Sequence, residues 1–323
     1  MQRGGTNPFK ELKTLFFIWK FFLIEKPDIA HLITIKPYLY GGVASRITGV
    51  KSLVTTVSGL GSLFIGKDLK NNLLRKLLYP IFKIAFNHFN QKVILQNKDD
   101  LKLLVEWGIL NPKKSVLLKG SGINIYDYKN LKETVGEIVI CLAARLLRDK
   151  GIYEFVSAAR ILKERGVQAK FCLAGDLDMN NPTSLNLDEL NKLKEESNVQ
   201  FLGFQKDVPN LFSKSHIICL PSYREGFPKT LIEAAAASRA VVTTDVPGCR
   251  DAIIPNKTGL LVPVKNSLRL ADALQQLIEN PKKRVEMGMA GRKHAEKDFL
   301  IETIVQSHLD IYQNLLKNKK RSC

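Results

Sequence analysis

Two glutamates eight positions apart, Glu225 and Glu233, bracket the segment Gly226-Phe227-Pro228-Lys229-Thr230. The apolar run before them, 217–220, reads as a strand. The residues from 230 to 237 read as a helix entered through Pro228 and Lys229, where proline suits a first turn. One carboxylate on the loop and another in the early helix then face one crevice at the carboxyl end of a strand, where open parallel sheets bind ligands. Gly226 lets the backbone approach a ligand closely, and the amides of the first helical turn, around Lys229 and Thr230, make an anion site. Carboxylates are poor neighbours for phosphate but good acceptors for sugar and ribose hydroxyls. Anion-binding amides flanked by two such acceptors suit a nucleotide diphosphate sugar. A second cluster, Ala143-Ala-Arg-Leu-Leu-Arg-Asp-Lys-Gly151, closes another strand. Its Arg145 and Lys150 suit the neutralisation of a diphosphate, one as a planar fork and the other as a point charge.

The elements that must position these residues alternate from residue 138 onward. Strands are expected at 138–143, 169–174, 199–202, 217–220 and 240–244, with helices at 152–165, 187–196, 208–213 and 230–237. Ile152, Phe155, Val156, Ala159 and Leu162 share one helical face. The strands are continuous apolar runs, which requires helices on both faces and hence a parallel, doubly wound sheet. Ahead of a polar linker at 120–137, strands at 29–35, 53–57 and 93–96 alternate with helices near 9–25, 41–48 and 73–89. The fold class is therefore α/β with two Rossmann-like parallel-sheet domains. The divisions read as 1–125 for the first, 126–300 for the second, and 301–323 for a C-terminal helix packing back toward the first.

Charge is distributed unevenly. Residues 1–130 hold 20 basic and 8 acidic side chains, a net of +12 out of +18 for the chain. Such an excess implies an anionic partner. Nucleic acid is disfavoured, because aromatic stacking platforms and a basic reading helix are lacking. The five cysteines lie far apart with no C-x-x-C pair, which fits neither a disulfide framework nor a zinc site and suits a reducing compartment. No signal peptide is apparent, and the apolar run 15–24 is interrupted by Lys20 and falls short of the roughly 20 residues a span needs. The helix 73–86 mixes bulky apolar residues with Arg75, Lys76 and Lys83, a composition suited to an anionic membrane surface.

The two clusters resemble the donor site of bacterial glycosyltransferase family 4, of the two-Rossmann-domain GT-B architecture. The likeness extends through Pro27-Asp28-Ile29-Ala30-His31, Gly120-Ser-Gly-Ile-Asn124, Val246-Pro-Gly-Cys-Arg-Asp251 and Thr258-Gly-Leu-Leu-Val-Pro263. It implies that Arg145 and Lys150 hold the diphosphate, that Glu225 meets the donor sugar, and that Glu233 holds the ribose. Gly226 and Phe227 would offer backbone amides, with Lys229 and Thr230 completing the donor-binding set. Catalysis would retain anomeric configuration and need neither metal nor cofactor beyond a UDP-sugar substrate. Thr34 to Gly61, containing Thr-Val-Ser-Gly-Leu-Gly, resembles enzymes that add an N-acetylhexosamine to an undecaprenyl-diphosphate-linked sugar. The implied partners are a nucleotide sugar, a lipid-linked glycan acceptor and the inner face of the cell membrane, to which a cytoplasmic enzyme would bind peripherally. Ser58, Gly59, Gly61 and His31 stand on the acceptor side. Ser58 replaces a histidine of many relatives, so no imidazole role transfers to that position. The family pattern begins with a strand and a glycine-rich turn ahead of the region matched here, so the first domain is expected to be incomplete. An inactive or fragmentary member that still binds nucleotide sugar is the alternative reading.

Other motifs carry less. Residues 61–67 nearly spell a P-loop, but Asp68 stands where a magnesium-ligating hydroxyl is required. Asp176-Leu-Asp178 has a metal-binding spacing but follows a strand end and reads as a loop. His31 fits either a core position or an acceptor-site wall.

Overall fold

Continuous apolar strands need cover on both sides. Every residue of Ser52–Val57, Ile217–Leu220 and Ala240–Thr244 is buried. The computed structural model describes residues 8–60, 69–129 and 132–319. Of these, the residues up to Gly120 and from Thr303 onward form one compact unit, and Ser121–Glu302 form another.

The first unit runs α1 (Pro8–Glu25), β1 (Ile29–Ile33), α2 (Ile35–Thr48), β2 (Ser52–Val57), α3 (Leu69–Ala85), β3 (Gln91–Leu95), α4 (Lys98–Glu106) and β4 (Ser115–Leu117). Its four strands are parallel and lie in the order β1-β2-β3-β4. Strand alternation divides the core. Leu53, Val57, Val93 and Leu95 pack with Tyr38, Phe82 and Leu104 of α2, α3 and α4. Val54 and Ile94 point the other way, onto Ile311 and Leu315 of α12 (Ile301–Lys319). Helix α2 begins at Ile35, six residues before the start read from the sequence. Pro37 lies within its first turn, where a missing amide costs nothing. Four of the cysteines, Cys141, Cys172, Cys219 and Cys249, are free and buried. Burial pushes the Cys141 and Cys249 thiols up to about 12.

The second unit runs β5 (Val139–Ala143), α5 (Ile152–Glu164), β6 (Lys170–Ala174), α6 (Leu187–Glu196), β7 (Val199–Gly203), α7 (Val208–Ser213), β8 (Ile217–Leu220), α8 (Lys229–Ala236), β9 (Ala240–Thr244), α9 (Cys249–Ala252), β10 (Gly259–Val262), α10 (Ser267–Glu279) and α11 (Pro281–Asp298). Its parallel sheet has the order β10-β9-β8-β5-β6-β7. One face, with Ile140, Leu142, Phe171 and Val242, packs against α5 and α10. The opposite face, with Cys141, Ile218 and Val241, packs against α8 and the end of α11. This is the doubly wound arrangement expected of the sequence.

Candidate active site

In the second sheet the chain order reverses between β5 and β8, which are neighbours. At such a switch point the loops leaving two adjacent strands diverge and open a crevice at the carboxyl ends. The loop after β5 carries Arg145 to Gly151 and the loop after β8 carries Pro221 to Pro228, so both clusters meet there. Two glycines set how closely. Gly151 (φ 72°) lies where a Cβ would come within 2.2 Å of the Pro221 carbonyl oxygen. Gly248 (φ 78°), after β9, lies where a Cβ would come within 2.7 Å of the Glu225 carbonyl oxygen. Only glycine combines a positive φ with such proximity. The Tyr223 amide donates to the Asp149 carbonyl at 2.8 Å and the Glu225 amide to Pro247 at 3.3 Å. The β8–α8 loop is thereby gripped from both flanks.

Every base of the β5–α5 loop has an acidic partner. Lys150 forms an ion pair with Glu225, and the two side chains are 19% and 12% exposed. Ser222 donates a second hydrogen bond to the Glu225 Oε1 at 2.7 Å. Arg145 pairs with Asp178 at 2.5 Å across the β6–α6 loop. Arg148 turns away to Glu189 of α6, which holds that carboxyl down at about 2. The sequence places Arg145 and Lys150 together as diphosphate ligands; in the fold each first meets a carboxylate, and Lys150 meets the glutamate assigned to the sugar.

A cavity of about 460 Å³ opens beside them, lined among others by Arg145, Asp178, Phe204, Gln205, Thr230 and Glu233. Glu225, Lys150, Gly226, Phe227 and Lys229 are not among its lining residues, so the two carboxylates do not share this cavity. Thr230 donates its hydroxyl to the Ala143 carbonyl at 2.9 Å, fastening α8 to β5. Pro228 precedes α8 without a side-chain cap; the Leu231 amide donates to the Pro228 carbonyl at 3.1 Å, which leaves the Lys229 and Thr230 amides to other acceptors. Phe227 is buried against Phe299 and serves the core through its ring. The exposed Lys229 reaches within 3.6 Å of Glu233. Burial pushes the Glu233 carboxyl up; the Lys229 charge, and secondarily the neighbouring Tyr128 phenol, pull against that shift. Tyr128 and Ser222 escaped sequence reading. Ser222, three residues before Glu225, offered a faint signal, and Tyr128 offered none.

In the first unit His31 sits half-buried in β1, with Nε2 at 2.7 Å from the Thr56 hydroxyl and Nδ1 at 2.7 Å from the Tyr312 hydroxyl of α12. Burial, and secondarily the nearby His308, push it down to about 4, so the ring is neutral at physiological pH. It closes a sheet-to-helix contact. Thr34, at the end of β1, holds φ 74°, a strained conformation for a β-branched residue. Ser58 is exposed just past β2 and Gly59 has φ 123°. Gly61 and the P-loop-like segment 61–67 lie outside the described residues.

Comparisons with known proteins agree with this layout. The family model described as glycosyl transferases group 1 matches residues 127–294, and one described as glycosyl transferase 4-like matches residues 1–97. A Campylobacter jejuni protein, N,N'-diacetylbacillosaminyl-diphospho-undecaprenol alpha-1,3-N-acetylgalactosaminyltransferase, is 31% identical over 98% of this chain and 85% of its own length. An Escherichia coli protein, UDP-Gal:alpha-D-GlcNAc-diphosphoundecaprenol alpha-1,3-galactosyltransferase, is 24% identical over 96% of this chain and 81% of its own. Anabaena HepE, crystallised with UDP, superposes with a TM-score of 0.75 at 20% identity, covering 93% of this chain and 82% of that one. That likeness shows the GT-B fold of two parallel-sheet α/β domains. With a family model matched over more than half of its length and a relative 31% identical across nearly all of it, the chain belongs to the glycosyl transferases group 1 family and is a glycosyltransferase.

Proposed function

We propose that the enzyme transfers a hexose or N-acetylhexosamine from a UDP-sugar, with retention of configuration, to a polyprenyl-diphosphate-linked glycan during surface polysaccharide or glycan synthesis. The observation that carries this reading is the cavity at the β5/β8 switch point, which sets Arg145 and Glu233 on one wall system beside the uncapped α8 amides. A nucleoside diphosphate needs that combination: cation and amides for the phosphates, carboxylate for the ribose. Glu225, held by Lys150, is the group assigned to the sugar; Lys150 relieves the charge that develops on the leaving diphosphate. The Campylobacter jejuni and Escherichia coli relatives both carry diphospho-undecaprenol acceptors in their names, which supports a lipid-linked acceptor here. Nucleotide release measured across a panel of UDP-, GDP- and ADP-sugars, each with polyprenyl-diphosphate glycans of defined sequence, tests the reading. Release from no UDP-sugar with any such acceptor would refute it.

Transfer in this reading is metal-independent, because Arg145, Lys150 and the helix amides supply the positive potential. Asp178 then acts as an internal competitor for Arg145. Asp178→Asn is expected to tighten UDP binding about two- to fivefold, the worth of a half-exposed pair. Loss of binding in that variant, together with abolition of transfer by EDTA and rescue by manganese, would instead make Asp176 and Asp178 metal ligands.

The enzyme is further proposed to bind the inner membrane face through its first unit. Among the described residues no helix is long and apolar enough to cross a membrane. Helix α3 nevertheless exposes Leu73, Leu77, Ile81 and Ile84 along one stripe, and α1 exposes Phe16, Phe17, Phe21 and Ile24. Lys76 and Lys83 lie beside the α3 stripe while Arg75 stacks over the Trp107 ring, and anionic headgroups contribute about 1 kcal/mol per nearby basic residue. Arg75→Gln/Lys76→Gln/Lys83→Gln should sediment less with phosphatidylglycerol vesicles while binding UDP as before. Binding should also weaken as the Debye length falls from about 10 Å at 0.1 M salt to about 3 Å at 1 M. No association of the parent enzyme with these vesicles at low salt would overturn the assignment.

A further inference from the structure

We infer that Ser222 is a positioning residue for the donor sugar: its hydroxyl holds one oxygen of the Glu225 carboxylate, so that the other is kept for a sugar hydroxyl. The inference rests on the reading that Glu225 meets the sugar. Ser222 follows the end of β8 by two residues and is fully buried. Its backbone is fastened without help from its own side chain. Thr244, the last residue of β9, donates its hydroxyl to the Ser222 carbonyl, and Thr243 donates to the Leu220 carbonyl at 2.7 Å. On the other flank the next amide, of Tyr223, donates to the Asp149 carbonyl at 2.8 Å. The start of the β8–α8 loop is thus fixed from β9 and from the β5–α5 loop. None of these contacts uses the Ser222 hydroxyl, which donates to Glu225 Oε1 at 2.7 Å.

Both donors land on the same atom. Lys150 Nζ and Ser222 Oγ each meet Oε1, and Oε2 takes no part in this pairing. Two donors on one oxygen stop the planar head of the carboxylate from exchanging its oxygens, and Oε2 keeps its lone pairs for hydroxyl donors. The two donors differ in what else they must do. Lys150 is a point charge on a flexible stem, and in the proposed function it also relieves charge on the leaving diphosphate. Ser222 stands three residues from Glu225 on the same fixed loop, and its side chain is short. Its bond to Oε1 therefore persists while the lysine is shared with the phosphates. Ser222 matters most with the donor sugar bound, because a preorganised acceptor needs no reorganisation when the reaction occurs.

Ser222→Ala removes the donor and leaves the threonine contacts to the backbone in place. The probes are UDP alone and, among UDP-glucose, UDP-galactose and their N-acetylated forms, the one that the parent enzyme binds most tightly. Calorimetric titration of Ser222→Ala with UDP should give an affinity within about twofold of the parent, since UDP carries no sugar. Affinity for the UDP-sugar should fall roughly tenfold, the lower end of the worth of a hydrogen bond to a charged group. Glu225→Ala removes what Ser222 holds, so Ser222→Ala/Glu225→Ala should bind the UDP-sugar no worse than Glu225→Ala alone. Equal losses for UDP and UDP-sugar in Ser222→Ala would mean a disturbed loop and would overturn the inference. Unchanged UDP-sugar affinity, or a further loss in the double variant, would overturn it as well. Glu225→Ala by itself separates the two levels. If it leaves the ratio of UDP-sugar to UDP affinity as in the parent, or if the parent binds none of the four UDP-sugars, the reading of Glu225 as the sugar's partner falls. If it changes that ratio and Ser222→Ala does not, only the Ser222 role falls.

Discussion

Lys150→Ala is expected to lower sugar transfer by about two to three orders of magnitude, the loss typical of removing one preorganised group that stabilises developing charge. The same substitution should also destabilise the second unit. It strands the Glu225 carboxylate with the Ser222 hydroxyl at a site where little of the side chain reaches solvent. Breaking a fully buried pair costs about 3–5 kcal/mol, and the residual exposure of both partners reduces that to about 1–3. Lys150→Ala/Glu225→Gln removes the stranded charge. It should recover most of the thermal midpoint, which shows that the stability loss in Lys150→Ala comes from the stranded carboxylate. Turnover within about threefold of the parent enzyme in Lys150→Ala, far short of the expected loss, would take Lys150 out of the donor chemistry.

Glu233→Ala should weaken UDP binding by roughly 1.5–3 kcal/mol, the range for hydrogen bonds to a charged group. The pH dependence carries a second signature. Burial raises the Glu233 carboxyl above its ordinary value, so folding favours the acid over the carboxylate. The contribution of this group to stability is therefore complete below the unfolded value, about 4.3, and is lost as pH rises through the folded one. At neutral pH the carboxylate is a net cost. Glu233→Gln should melt higher than the parent enzyme at neutral pH and at the same temperature in acid, while binding UDP less well. UDP affinity in the parent enzyme should in turn fall on acidification at a pH above the usual carboxylate range. A parent and a Gln variant with parallel melting profiles across that range would show that the site stores no such strain.

The fold was legible because its strands are uninterrupted apolar runs and because glycine, proline and acid fall at fixed offsets on one strand-to-helix turn. Several elements were not assigned: β4 has three residues, β10 has four and opens on a glycine, and the helices α4, α10 and α11 were also missed. The start of α2 was misplaced because Pro37 reads as a breaker when it stands within a first turn. Candidate site residues could be proposed one by one from the sequence, whereas the partners they meet in the fold could not. Lys150 and Glu225 are separated by 75 residues and Arg145 and Asp178 by 33, and no local periodicity links residues that meet only because β5 lies between β8 and β6. Tyr128 lay in what reads as a polar linker, and only the fold brings it beneath α8.

The contact between His31 and Tyr312 spans 281 positions, and the face of the first sheet that holds Val54 and Ile94 is covered by Ile311 and Leu315. During synthesis Val54 and Ile94 lack this cover until α12 leaves the ribosome. The 182 residues of the second unit, Ser121–Glu302, must be made in between. At about 5–20 residues per second this is an interval on the order of ten to forty seconds. Throughout it, the face of the first sheet that carries Val54 and Ile94 waits without that cover, while the second unit can finish folding. The order of assembly is thus inverted relative to the order of translation: the second unit can mature first, and the first unit is completed only with α12.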